Sequence, residues 1–230
     1  RRYGFAETLV GHWKGGLAQI AVVNSLFMGA MSGSANADAA IDARTIVPVM
    51  RQHGYTNAYG SVVSAASALI APIMPPSIAL IVYGLLTDTS IGRLFMGGVI
   101  PAFFIAAALM LTVRWCARRH GHTQARTERA RPREIWTKGH AALWALAMPV
   151  LLLFGLRTGF FTPTELGAFA ALYAFFVGAV IYKGLSFSDS YDLLRESALT
   201  TAGVMFIVAS ASVFSLILSL EQLPQMLVSQ

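Results

Sequence analysis

Two short segments of this sequence carry the residues best suited to hold an ion. Ser32-Gly33-Ser34 sets two hydroxyls around a glycine, and Pro75-Pro76 interrupts the next apolar stretch. Proline removes a backbone donor and clashes with the preceding turn, so a helix must break there and free its carbonyl oxygens. Hard cations prefer such oxygen ligands. The spacing Gly29-x-x-x-Gly33 fits close helix packing equally well, and the pattern alone does not separate the two interpretations.

The composition is that of a membrane protein. Of 230 residues, 56% are hydrophobic and 12% are charged, and the mean hydropathy is +0.61. Soluble domains are usually about a quarter charged, so a water-soluble enzyme is the class that fits least. The single cysteine excludes a disulfide framework or a cysteine-based zinc site. Long apolar runs separated by short polar stretches predict an all-α polytopic membrane protein.

The apolar runs divide into ordinary spans and two unusual segments. Residues 16–50 are too polar in the middle for one helix and predict a re-entrant hairpin, whereas residues 58–86 predict a transmembrane helix broken at its prolines. Secondary transporters hold ions and substrates where a hairpin tip meets a broken helix. The other predicted segments are a connecting segment at 1–15, transmembrane helices at 91–116, 141–161, 163–182 and 200–220 (or the start of a second hairpin), and an amphipathic segment at 186–199.

Basic residues set the predicted orientation. Eight of the 17 Lys and Arg residues lie between Arg114 and Lys138, so we predict that the loop at 117–140 is cytoplasmic. Lys14 and Arg51 then share the cytoplasmic side, and the segment between them must enter the membrane and return. Because the basic run lies between two spans, topology and anionic lipid explain it better than nucleic acid does. The expected partner of this surface is the lipid bilayer, with no nucleic acid.

Two acids follow the predicted hairpin tip. Ionisable residues within a membrane mark functional sites by default. We expect Asp38 to orient the tip or to cap the returning helix, in preference to binding an ion directly. Asp42 is four residues further on, and we expect ordinary charge pairing with Arg44 and Arg51 near the cytoplasmic face.

A helix N-terminus at the tip or after Pro76 would favour a substrate carboxylate. The side chains expected beside that anion are those of Asn36 and Ser77.

Several ordered motifs resemble the large membrane subunit of TRAP transporters, the DctM type. The resemblance covers essentially the whole chain, although such subunits are roughly twice as long, so we expect an internal piece that lacks the second hairpin and its broken helix. The family often has glycine at the position of Ala71 and an apolar residue at that of Asn36. The matching segments are Gly29-Ala30-Met31-Ser32-Gly33-Ser34-Ala35-Asn36-Ala37-Asp38-Ala39-Ala40, Val47-Pro48-Val49-Met50, Gly54-Tyr55, Ala71-Pro72-Ile73-Met74-Pro75-Pro76-Ser77, Tyr83-Gly84, Ser90-Ile91-Gly92, Gly98-Val99-Ile100-Pro101 and Thr162-Pro163-Thr164-Glu165.

The resemblance implies a sodium-coupled importer in the bacterial inner membrane. In that family a periplasmic binding protein delivers a small organic acid, such as a C4-dicarboxylate, to this subunit and a smaller membrane subunit. The subunit works as an elevator, and sodium is the coupling ion with no other cofactor. Carried over by motif, the sodium ligands are Ser32, Gly33 and Ser34 at the tip and the carbonyls of Ala71, Met74 and Pro76 at the break.

Two other functions remain open. A stand-alone sodium–dicarboxylate symporter of the same superfamily would differ in needing no binding protein. An intramembrane hydrolase would need a nucleophile with a base or a metal triad, and the spans offer neither arrangement. We therefore expect no enzymatic activity.

Overall fold

The computed structural model describes residues 2–120, 132–159 and 161–222. Within these residues the chain forms helices and no strand. Among the described residues, three helical stretches are long and apolar enough to cross a membrane: Ile91–Arg119, Thr164–Ile181 and Asp189–Leu220. The predicted all-α polytopic class is confirmed.

The chain divides into two compact units, Arg1–Phe175 and Phe176–Gln230. The helices are α1 (Arg2–Val10), α2 (Gly16–Ser32), α3 (Ala35–Gln52), α4 (Asn57–Ala68), α5 (Ile78–Leu86), α6 (Ile91–His120), α7 (Pro132–Thr158), α8 (Pro163–Phe176) and α9 (Phe187–Leu220), with a π-helical turn at Val177–Ile181 before α9.

Helix α2 is the centre of the first unit. It carries no charged side chain, and its residues from Gly16 to Ser25 are all buried. Helices α1, α3, α4 and α6 pack around it, and α6 is also tied to it by the Gln19 amide, which donates to the Met110 carbonyl at 2.8 Å. A helix that is apolar on every side is stable only when neighbours cover it on every side.

The segment predicted as a hairpin forms two helices that pack against each other. Helix α2 ends where Gly33 adopts a left-handed conformation with φ 60°, and α3 starts at Ala35. The chain then passes through four residues into α4, and α3 packs along α4 more extensively than any other pair of described helices. Whether the helix pair enters and leaves one side of a membrane stays a prediction.

The segment predicted as a broken helix consists of α4, an irregular stretch at 69–77, and α5. The stretch contains all three prolines of the segment, which removes three backbone donors from a helical ladder. Ser77 then restarts the helix as the N-cap of α5.

Several helix bounds differ from the segments expected from sequence. Helix α6 runs past 116 to His120, where the Arg119 guanidinium lies 4.4 Å from the centre of the Trp115 ring, and α7 begins already at Pro132. The predicted basic loop at 117–140 is therefore helical at both ends, and its residues 121–131 lie outside the described residues.

Helix α9 joins the two segments expected at 186–199 and 200–220. It starts with a capping box in which the Ser186 backbone N–H donates to the Asp189 carboxylate at 2.9 Å, and it continues for 34 residues. The polar first half continues the same helix, and the hydroxyls of Ser190, Thr200 and Thr201 are satisfied by donating to carbonyls four residues earlier.

Candidate functional site

The tip between α2 and α3 is built from backbone turns and serine caps. The Gly33 N–H donates to the Gly29 carbonyl at 3.0 Å, which closes α2. The Ser34 hydroxyl accepts the Ala37 N–H at 3.3 Å and caps α3, while the Ser32 hydroxyl accepts the Ser34 N–H at 3.4 Å. Ser34, and not Asp38, therefore caps the returning helix. Both tip hydroxyls retain lone pairs for a further ligand.

The break at 69–77 leaves some carbonyl oxygens without the backbone N–H partner that a continuous helix would give them. The Ser77 hydroxyl accepts the Leu80 N–H at 3.3 Å and donates to the Pro72 carbonyl at 2.5 Å. The backbone N–H groups of residues 70–74 donate to the carbonyls of Ser67, Ala68 and Ile70, and not to those of Ala71, Met74 or Pro76. These are the three carbonyls that the family resemblance assigns to sodium.

The tip and the break touch through their main chains. A side chain at Gly33 would overlap the Pro76 carbonyl oxygen and place its Cβ 2.9 Å from the Ser77 Cα. One turn earlier, a Cβ on Gly29 would lie 2.7 Å from the Ala71 Cα. The close-packing interpretation of the two glycines is therefore confirmed. It is compatible with an ion site, because the same approach brings the main chain of the tip against that of the break.

A cavity of about 210 Å³ opens beside this crossing. Its polar lining comes from Ser32 and Ser77, and the rest is mostly apolar. Asn36 is exposed in the first turn of α3 and does not line it, so the structure does not place the two expected substrate residues in one cavity. The other lining residues are Met31, Pro76, Ile78, Ile81, Phe95, Met148, Leu152, Leu166, Gly167 and Ala170.

The two acids after the tip are buried, and the expected pairing of Asp42 with Arg44 and Arg51 is wrong. Asp42 is fully buried and accepts from the Asn24 amide at 2.9 Å and from the Ser25 hydroxyl at 3.4 Å, whereas both arginines are exposed. The returning helix turns Asp42 towards α2 because the neutral donors there satisfy a buried carboxyl.

Asn24 and Ser25 are the polar residues that sequence reasoning missed. Two adjacent polar side chains inside the apolar run of α2 were the available signal. Their role as donors to Asp42 depends on how α3 packs back against α2, and a local sequence pattern does not predict that packing.

The comparison with known protein families decides the class of the chain. The sequence profile described as "Tripartite ATP-independent periplasmic transporter, DctM component" matches residues 2–229. The chain belongs to the DctM family.

Curated members of the DctM family are similar in sequence to this chain over about half of their own length. The chain is 43% identical over 95% of its length to the 2,3-diketo-L-gulonate TRAP transporter large permease protein YiaN of Escherichia coli (strain K12), covering 51% of that protein. It is 38% identical over 99% of its length to the sialic acid TRAP transporter large permease protein SiaM of Vibrio cholerae, covering 53%. It is 34% identical over 99% of its length to the C4-dicarboxylate TRAP transporter large permease protein DctM of Rhodobacter capsulatus, covering 54%.

The chain thus spans about half the length of these relatives. They are transporter permeases and not enzymes, so the chain belongs to a family of multi-pass membrane transporters rather than of intramembrane hydrolases.

Proposed function

We propose that the full-length protein is the translocating subunit of a sodium-coupled TRAP importer of small organic acids in the bacterial inner membrane. The observation that carries this proposal is the close approach of the Gly33 main chain to Pro76 and Ser77. The tip contributes serine hydroxyls, and the break contributes carbonyls that accept no backbone hydrogen bond around it. Irregular backbone at membrane depth is tolerated where it lines such a site.

In this proposal the sodium ion lies at the crossing. Its ligands come from Ser32, Gly33 and Ser34 at the tip and from the carbonyls of Ala71, Met74 and Pro76 at the break. Sodium is a hard cation, and an all-oxygen shell of hydroxyls and carbonyls suits it without a formal charge in the first shell. Binding there would hold the tip against the break and so link ion occupancy to the shape of the adjoining cavity.

The proposed substrate is a small organic acid, such as a C4-dicarboxylate. The relatives' names specify a diketogulonate, a sialic acid and C4-dicarboxylates, which share a carboxylate. The N-terminus of α5, capped by Ser77 at the cavity, offers the positive end of a helix dipole to such a group. Asn36, exposed beside the tip, is proposed to contact substrate only once the other half of the protein completes the pocket.

The proposed partners are the small membrane subunit and a periplasmic binding protein, and the transport cycle is an elevator movement. Helices α2, α3 and α4 pack on one another, which suits a block that moves as a unit. Uptake by the reconstituted two-subunit complex should require the binding protein. Equal uptake without it would favour the stand-alone symporter instead.

The test of the ion site uses the full-length protein purified with its small subunit. Melting temperature is compared in sodium and in choline at equal ionic strength, for wild type, Ser32→Ala and the control Ser61→Ala, whose serine is exposed on α4. A ligand that binds only the folded state at a hundredfold excess over Kd stabilises it by about 2.7 kcal/mol. A sodium-specific rise should shrink in Ser32→Ala alone, and an equal rise in all three proteins would contradict the assignment.

A further inference from the structure

Helices α2 and α3 enclose a group of buried side chains with oxygen atoms, separate from the serines at the tip. Asp38, Asp42 and Ser25 contribute it, and all three are 0% exposed. The Ser25 hydroxyl donates to one Asp42 oxygen at 3.4 Å and lies close enough to Asp38 to interact with that carboxyl too. Asp38 precedes Asp42 by four residues on α3, which places the two buried carboxyls on the same face of that helix. The three side chains therefore face one small region between the helices.

Asp38 is the member of this group whose surroundings are incomplete. Neither of its carboxylate oxygens has a hydrogen-bond partner among the described residues, although both are buried. Asp42 differs, since Asn24 and Ser25 each donate to one of its oxygens. A buried carboxylate without a partner costs several kcal/mol, so native proteins pair such groups or let them coordinate a cation.

The packed neighbours of α3 supply no positive charge. Helices α2 and α4, which pack against it, contain no Lys, Arg or His anywhere in their sequences, and Arg44 and Arg51 of α3 itself are exposed. Among the described residues no basic side chain pairs with either carboxyl. The negative charge between α2 and α3 therefore has no counter-charge within the described part of the chain.

A proton on Asp38 is the occupant that would compete with a cation. A protonated carboxyl is a hydrogen-bond donor, and its O–H would need an acceptor within reach. The Ser25 hydroxyl and the Asp42 carboxylate are acceptors beside it, although neither forms a hydrogen bond with the Asp38 oxygens among the described residues. A cation needs no such partner, since it is bound directly by the oxygen lone pairs of the surrounding carboxylates and hydroxyl.

We propose that Asp38, Asp42 and Ser25 bind a sodium ion between α2 and α3, in addition to any ion at the tip. The ligand class is a hard monovalent cation bound by side-chain oxygens. Asn24 is a positioning residue, because its amide donates to one Asp42 oxygen and so holds that carboxyl in place. The site does not depend on the tip site and stands if the tip binds no ion.

The test uses the full-length protein with its small subunit in the Ser32→Ala background, which weakens the proposed tip site. Melting temperature is followed against sodium concentration, with choline keeping the ionic strength constant at fixed pH, and binding of radioactive sodium is measured in parallel. Asp38→Asn should raise the sodium concentration needed for half the effect by about tenfold or more, since loss of even an outer-shell partner of a metal costs that much. Asp192→Asn, at an exposed position of α9, should leave it unchanged.

Ser25→Ala is the milder second variant in case Asp38→Asn does not fold. It removes one neutral ligand and should weaken sodium binding in the same direction by a smaller factor. Unchanged sodium dependence in both Asp38→Asn and Ser25→Ala overturns the proposal. So does a stability that follows pH and not sodium in the Ser32→Ala protein, because a proton is then the occupant. If Ser32→Ala alone weakens sodium binding, while Asp38→Asn and Ser25→Ala add no further weakening, sodium binds only at the tip and the proposal is overturned.

Discussion

Helices α2 and α9 are both apolar, yet their polar side chains form hydrogen bonds to different kinds of partner. In α2, which is buried, Asn24 and Ser25 bond across to Asp42 on the next helix. In α9, which is exposed along its apolar window, Ser210 and Ser212 donate to carbonyls four residues back in the same helix. Hydropathy alone does not distinguish the two helices. They differ in whether their polar side chains form hydrogen bonds to another helix or to their own backbone.

The largest predicted effect lies at the crossing of the tip with the break. Gly33→Ala should destabilise the full-length protein by about 2–4 kcal/mol, because it adds left-handed backbone strain to a clash with the Pro76 carbonyl. Gly54→Ala is the matched control, since Gly54 also has a positive φ but no atom within 4 Å of its missing Cβ. Gly54→Ala should lower the free energy of unfolding only by the left-handed backbone strain, about 1–2 kcal/mol. Equal losses in thermal unfolding would show that the crossing is not tight.

An intermediate effect is predicted between α2 and α3. Asn24→Ala removes a donor from Asp42 and leaves a buried acceptor unsatisfied, so it should cost about 1–3 kcal/mol. The matched change is Asn57→Ala, at the exposed first position of α4, which should stay within about 0.5 kcal/mol. Thermal unfolding in detergent measures both. A harmless Asn24→Ala would mean that the α2–α3 contact does not depend on this hydrogen bond.

The smallest effect is predicted in α9. Ser210→Ala removes a hydroxyl that donates to the Phe206 carbonyl of its own helix at 2.9 Å, and alanine is the better helix former. Unfolding free energy should change by less than about 0.5 kcal/mol. A loss as large as that of Asn24→Ala would erase the contrast between the two helices.

The tip and the break could be predicted from sequence because single residues dictate them. Gly33 and Ser34 end one helix and start the next, and prolines at 72, 75 and 76 prevent a continuous helix whatever surrounds them. The length of α9 could not be predicted in the same way. Its polar start suggested a separate segment, but the polar half continues the same helix and its hydroxyls are satisfied by bonds to the preceding turn.

The surroundings of the acids could not be predicted for a different reason. The bond between Asn24 and Asp42 joins residues on opposite sides of the tip, and their meeting depends on the rotation of α3 about its axis. A sequence pattern places Asp42 near Arg44 because they are neighbours along the chain. Packing places it beside α2 instead, since a buried carboxyl gains more from fixed donors than from exposed cations.

The four-residue connection between α3 and α4 has a consequence for how fast an ion could leave the crossing. Because α3 packs along α4, the tip that begins α3 and the break that follows α4 belong to one packed block. They cannot separate without bending the chain at Gly33 or unpacking the two helices. Release of a bound ion is then controlled by the arrival of water to replace its oxygen ligands, and the kinetics of exchange should follow hydration of the site rather than the opening of its two halves.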